Sequence, residues 1–304
     1  MPPLQAASIV LLVGPVLALA GSGVYALANR QRATGLTPRI ALARAGSYAA
    51  LALVLVAAAW LGVVGLAVLF AVLGSLALVE WSRLFDLPVH HRAAVVVANV
   101  LIIGAVAISG AEAADWLVGG LVLVGATWPV IRADTGRAIR DLGMAIVGVV
   151  LTSVMLAHGV ALAVEHGDAG MALVLALAVG CAFADVGAFV VGRRYGRVPL
   201  APRLSPNKTR EGVVGTVLGS ALGLVWFVPA LVPTFGWQFV IALVPLVATG
   251  SLWGDLLESA AKREAGAKDA GTWLPGFGGI LDRIDSLLIT LALGYWVARL
   301  WGAG

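Results

Sequence analysis

Apolar residues fill this chain in long blocks separated by short polar segments. Ten blocks stand out, at about 7–28, 46–61, 63–80, 93–109, 116–131, 142–163, 171–191, 213–231, 238–256 and 281–301. A helix crosses a bilayer with roughly 20 apolar residues, within about 17–25. A single helix over 46–80 would overshoot the membrane, so that stretch reads as a tight hairpin of two helices turning near Gly62. The pattern predicts an all-α, polytopic integral membrane protein with about ten transmembrane helices (nine to ten). Two parts are expected: a transmembrane scaffold over 1–165, and a second transmembrane half over 171–304 carrying the larger polar loops 192–212 and 257–280.

Composition agrees. Of 304 residues, 61% are hydrophobic and 12% charged, against roughly 25% charged in a soluble domain. The placement of charge predicts orientation. With the N-terminus outside, the loops 29–45, 81–92, 132–141, 192–212 and 257–280 and the adjoining helix ends hold 19 of the 20 Lys and Arg residues, all but Arg299. The opposite loops hold Glu112, Asp115, Glu165 and Asp168 and no Lys or Arg. This is the positive-inside bias, and it predicts an N-out, C-out protein of the inner (plasma) membrane with its basic loops in the cytosol. Topology thus accounts for the basic residues, and no nucleic-acid partner is expected. The one cysteine, Cys181, lies in an apolar run and reads as a packed small hydrophobe. The run 7–28 is longer than a signal-peptide core and reads as a retained first span.

The first half offers little chemistry. Glu80-Trp81-Ser82-Arg83 at a helix end reads as an interfacial anchor with a local ion pair. His90 and His91 are adjacent and do not share a helix face, while His158 and His166 are isolated, so packing or surface roles are expected. The second half differs. Asp185 lies within a span, about 21 Å from its outer end at about 1.5 Å per residue, and an intramembrane carboxylate is a functional candidate by default. The following loop contains Gly192-Arg193 and Ser205-Pro206-Asn207-Lys208-Thr209-Arg210-Glu211-Gly212. It lacks the spacing of a P-loop. Ser205 is expected to cap the next helix and Pro206 to start it, placing Lys208 and Arg210 at an anion-binding helix end. A topology-setting basic loop would look the same by charge alone.

The densest constellation is 251–285. Asp255, Glu258, Ser259 and Lys262 share one helix face, Arg263 follows, and a glycine-rich loop carries Lys268 and Asp269. Asp282, Arg283 and Asp285 open the last helix. Neighbouring carboxylates in a poorly hydrated site repel unless a cation lies between them. Oxygen-only ligands suit Mg²⁺, which takes phosphate oxygens as further ligands, and the surrounding Lys and Arg make sense if the ligand is a polyphosphate. Complementing the helix dipole would explain Asp282 and Asp285, but not Asp255 on another helix.

At these residues the sequence resembles the phosphatidate cytidylyltransferase (CDP-diacylglycerol synthase) family. The resemblance is carried by Ser259, Lys262-Arg263, Lys268-Asp269, Gly271, Leu274-Pro275, Gly278-Gly279 and Asp282-Arg283-Ile284-Asp285, with Asp185, Gly187, Gly192-Arg193 and 205–212 upstream. It covers about 180–290; the first half matches only as generic scaffold. Departures are Phe277 in place of a usual His, Arg210 in place of Trp, Val186 in place of Thr, and the small Ala261. These leave open another lipid phosphate as the acceptor.

The resemblance implies a reaction of CTP with phosphatidate to give CDP-diacylglycerol and pyrophosphate, at a site facing the cytosol. It implies Asp255 and Asp282 as primary ligands of Mg²⁺, Asp285 and Asp269 as secondary ligands with or without a second cation, and Lys208, Lys262, Arg263, Lys268 and Arg283 as phosphate-holding groups. Asp185 and Ser205 would shape the site. Competing readings are a CTP-dependent polyprenol or phytol kinase, a secondary transporter and a catalytically dead scaffold. Membrane lipids surround the spans, and a homodimer is compatible with them but not read from them.

Overall fold

The computed structural model describes residues 53–132, 136–267, 269–271 and 278–302. The expected span 7–28, the first part of 46–61, Lys268 and the segment with Leu274, Pro275 and Phe277 lie outside the described residues.

The protein is an all-α membrane protein with one small strand pair among the described residues. Residues 53–60 are helical and the chain turns at Leu61, with Gly62 at φ +70° as the hairpin pattern anticipates. The elements that follow are α1 (Gly62–Leu84), α2 (Val89–Ser109), α3 (Glu112–Arg132), α4 (Ala138–Val149) with a π-helical turn at Val150–Val154, and α5 (Met155–Tyr195). Strands β1 (Pro199–Ala201) and β2 (Ser205–Thr209) precede α6 (Arg210–Leu224), a 3₁₀ turn, α7 (Val228–Glu264) and α8 (Leu281–Gly302). Among the described residues, five continuous helical stretches are long and apolar enough to cross a membrane.

Two of these stretches are broken by glycine. Gly167 in α5 has φ 55° and ψ −130°, and Gly236 in α7 has φ 81° and ψ 169°. Left-handed backbone of this kind is open to glycine at no steric penalty, so each break re-aims the chain. Residues 138–166 and 168–195 therefore act as separate helices, as do 210–235 and 237–264, at the boundaries that the apolar blocks predict.

α5 packs along α6, and α8 packs between α7 and α5. α1 and α2 pair with each other and lean on α5. Phe70, Leu162, Leu173, Phe227, Phe239, Leu291 and Tyr295 form the fully buried centre. Small residues set the closest approaches. A Cβ on Gly250 would lie 2.9 Å from the Thr290 Cα, and one on Gly254 would lie 2.9 Å from the Ser286 Cα. These two glycines, one turn apart, let the α7 and α8 backbones nearly touch where the carboxylates sit.

The loop 192–212 corrects one expectation. Ser205 does not cap the next helix. Ser205 to Thr209 form β2, antiparallel to β1 with Pro199 opposite Thr209 and Ala201 opposite Ser205. Thr209 is the cap, its Oγ1 accepting from Gly212 N–H at 3.1 Å. The chain folds back on itself, with Arg210 N–H donating to the Val198 carbonyl at 2.9 Å. Strand pairing thus satisfies backbone groups that a longer helix would otherwise have used.

Candidate active site

Three carboxylates converge where α7 meets α8. One ligand oxygen each from Asp255, Glu258 and Asp285 lies within 4.8 Å of the other two. Asp255 and Glu258 share a face of α7 at one-turn spacing, and Asp285 reaches them because Gly254 packs against its own peptide. Asp255 is ion-paired with Lys208 from β2, so the strand pair delivers a cation to the cluster. Asp185 on α5 accepts a hydrogen bond from Ser251 Oγ of α7 at 3.0 Å. It lies within electrostatic reach of Asp255, Asp285, Lys208 and Arg283.

A second knot adjoins the first. Lys262 Nζ lies 2.6 Å from Glu258 Oε2 and 2.7 Å from Asp282 Oδ1. Asp282 Oδ2 accepts from Gly279 N–H at 2.7 Å and from Ala270 N–H at 3.1 Å. Asp282 therefore folds back over the start of its own helix in the manner of a capping box, and both its oxygens have partners. Arg263 Nε donates to the Leu204 carbonyl at 3.3 Å, tying the end of α7 to the β1–β2 turn. Asp269 is exposed and lies outside the three-carboxylate cluster.

The residues present fit a divalent cation. Five carboxylates (Asp185, Asp255, Glu258, Asp282 and Asp285) gather around two lysines in ion-pair contact, Lys208 and Lys262. Glu258 is 7% exposed, and its Oε1 is buried with no hydrogen-bond partner among the described residues. A buried carboxylate oxygen without a donor is costly, and a cation beside Asp255 and Asp285 would remove that cost. The donor set is all oxygen, which suits Mg²⁺.

Sequence reasoning did not single out two residues here. The i+3 spacing puts Glu258 on the Asp255 face, but neither the spacing nor the resemblance gives it a ligand role. Glu80, which the sequence presents as an interfacial anchor, is buried instead. It is 1% exposed, and its carboxylate accepts from Ile280 N–H at 3.0 Å and Leu281 N–H at 2.8 Å, 200 and 201 residues away. No local pattern announces so distant a contact.

The chain is similar in sequence to several known proteins. Over 235 residues the chain is 36% identical to a phosphatidate cytidylyltransferase of Pseudomonas aeruginosa, covering 74% of this chain and 83% of that one. It is 33% identical over 186 residues to the uncharacterized protein YnbB of Escherichia coli K12, covering 60% and 61%. It is 39% identical over 137 residues to the chloroplastic phosphatidate cytidylyltransferase 5 of Arabidopsis thaliana, covering 45% and 34%. The match thus spans under two thirds of the last two relatives. The model of the cytidylyltransferase family matches residues 42–301, from ahead of α1 nearly to the end of α8, and the chain belongs to that family.

Proposed function

We propose that this protein is a CTP:phosphatidate cytidylyltransferase that makes CDP-diacylglycerol and pyrophosphate. The observation that carries the reading is the convergence of Asp255, Glu258 and Asp285 next to Lys208 and Lys262. Membership of the cytidylyltransferase family and relatives named phosphatidate cytidylyltransferase support the substrates. The chain crosses the inner membrane about ten times, N-out and C-out, and the site faces the cytosol. The charge distribution supports this orientation. It puts the site where CTP is dissolved and where the phosphatidate headgroup lies.

The chemistry is an in-line displacement. An oxygen of the phosphatidate phosphate attacks the α-phosphorus of CTP. A new P–O bond forms, the bond to the bridging oxygen of the β-phosphate breaks, and pyrophosphate leaves with that electron pair. Such transfers rest on positioning and charge neutralisation. Asp255, Glu258 and Asp285 would hold Mg²⁺, which supplies positive charge to the phosphates; Asp185 is a further carboxylate for a second cation. Lys208, Arg263, Lys268 and Arg283 would hold phosphates of the two substrates. Lys262 and Asp282 keep the two helix ends together, and Lys262 can reach a phosphate from there. Ser205 would shape the site.

The test uses purified protein with Mg²⁺, a panel of lipid phosphates and alcohols, and CTP labelled in either the α- or the γ-phosphate. The reading expects α-label in the lipid product and all γ-label in pyrophosphate. Transfer of γ-label to a lipid alcohol would make the protein a kinase and overturn it.

A further inference from the structure

The helix start that carries the catalytic carboxylates is gripped from outside its own half of the chain. Three successive amides lead into α8. Gly279 N–H goes to Asp282, and Ile280 and Leu281 N–H go to the two oxygens of Glu80. Glu80 lies near the end of α1. Its carboxylate fills a slot walled by glycines: a Cβ on Gly279 would lie 2.6 Å from the Glu80 carboxyl carbon, and so would one on Gly271. The glycines of this loop therefore have a use beyond close approach of substrate; they make room for Glu80. A carboxylate at a helix N-terminus is stabilised by the unpaired amides and the helix dipole. The two amides and the nearby Arg83 charge offset part of the cost of burying Glu80.

We infer that Glu80 is a positioning residue for the site: its carboxylate, bonded to the Ile280 and Leu281 amides, sets the rotation and height of the first turn of α8. Asp282 and Asp285 are carried by that turn. Asp285 then meets Asp255 and Glu258, and Asp282 meets Lys262. The same two bonds prevent a substrate phosphate from using these amides, so phosphates are left to the side-chain cations. The N-terminal helices thus contribute directly to the geometry of the site. The inference rests on the catalytic reading of α7 and α8 given above.

The experiment compares full-length Glu80→Gln, Ser82→Ala and Asp285→Asn with the unsubstituted protein. Ser82 is buried beside Glu80, and its hydroxyl bonds within α1, to the Leu78 carbonyl. Glu80→Gln keeps the shape but turns an amide donor toward a backbone donor. It is expected to raise the Mg²⁺ concentration for half-maximal turnover about 10–100-fold, as loss of a ligand-orienting partner does. Without substrate or metal, it should also speed hydrogen exchange in 278–285 by at least about tenfold. Ser82→Ala should leave both unchanged per folded molecule. An unaltered Mg²⁺ midpoint and exchange rate in Glu80→Gln overturns the inference. So does a Ser82→Ala protein that shifts both equally, because the effect would then be general loosening. If Glu80→Gln does not accumulate, Glu80→Asp, one methylene short of both amides, is read by the same two criteria. Full activity in Asp285→Asn would instead remove the catalytic reading, a result distinct from a dead Asp285→Asn beside an unaffected Glu80→Gln.

Discussion

Lys262 Nζ donates to Asp282 Oδ1 at 2.7 Å, and this contact joins the end of α7 to the start of α8 across the glycine-rich loop. The same ammonium contacts Glu258 at 2.6 Å. The three side chains are 15%, 10% and 6% exposed. Lys262→Met would leave two scarcely hydrated carboxylates without their cation. Removing one partner of a buried ion pair costs about 3 kcal/mol or more. Thermal unfolding in detergent should register a loss of this order, with turnover down at least about a hundredfold. An unchanged melting temperature would show that the carboxylates do not depend on Lys262.

Glu258→Gln tests the cluster at the residue with an unpartnered buried oxygen. The amide removes one negative charge from a site whose affinity follows ligand charge count. The Mg²⁺ activation curve should move to higher concentration by about tenfold or more, with the CTP dependence at saturating Mg²⁺ moving less. A curve that coincides with that of the unsubstituted protein would exclude Glu258 from the metal site.

Metal removal gives a complementary measurement. Chelation should abolish turnover, and Mg²⁺ should restore it, since the cluster consists of carboxylate oxygens without thiol or imidazole. Turnover that persists in excess chelator would leave the three carboxylates without the role assigned to them.

Gly254→Ala probes the packing that assembles the site. The added methyl would push against the Asp285 peptide, with the Ser286 Cα 2.9 Å away. Overpacking of a tight contact costs about 1–3 kcal/mol. Activity should fall further than stability, because a small separation of α7 and α8 moves Asp285 away from Asp255 and Glu258. Equal retention of both properties would show that the helices can part there without consequence.

Thr209→Ala should be milder. It removes the cap of α6 and costs about 1 kcal/mol. Ser205→Ala should leave that cap intact, because Ser205 lies in β2. Melting of the two variants distinguishes these outcomes, and an equal loss from both would contradict the assignment of Thr209 as the cap.

Much of this molecule was legible from the chain alone. The apolar blocks specify helices and their ends because burial of apolar surface in a bilayer depends on local composition. The turns at Gly62, Gly167 and Gly236 fall where those blocks end. The concentration of acids and bases over 251–285 marks the candidate site for a similar reason: charges are scarce in such a chain and remain only where something uses them. Local spacing does not decide which oxygens meet. By spacing alone Asp282 and Asp285 are equivalent, one turn apart, and the resemblance puts Asp282 ahead of Asp285 as a ligand. The packing of Gly250 and Gly254 against α8, a tertiary contact, brings Asp285 to Asp255 and Glu258 and leaves Asp282 to Lys262 and the Gly279 amide. Likewise, Ser205-Pro206 has the local form of a helix start, and long-range strand pairing overrides it. Glu80 is the extreme case, because a hydrogen bond spanning 200 residues has no trace in local periodicity and exists only once α1 and α8 have docked.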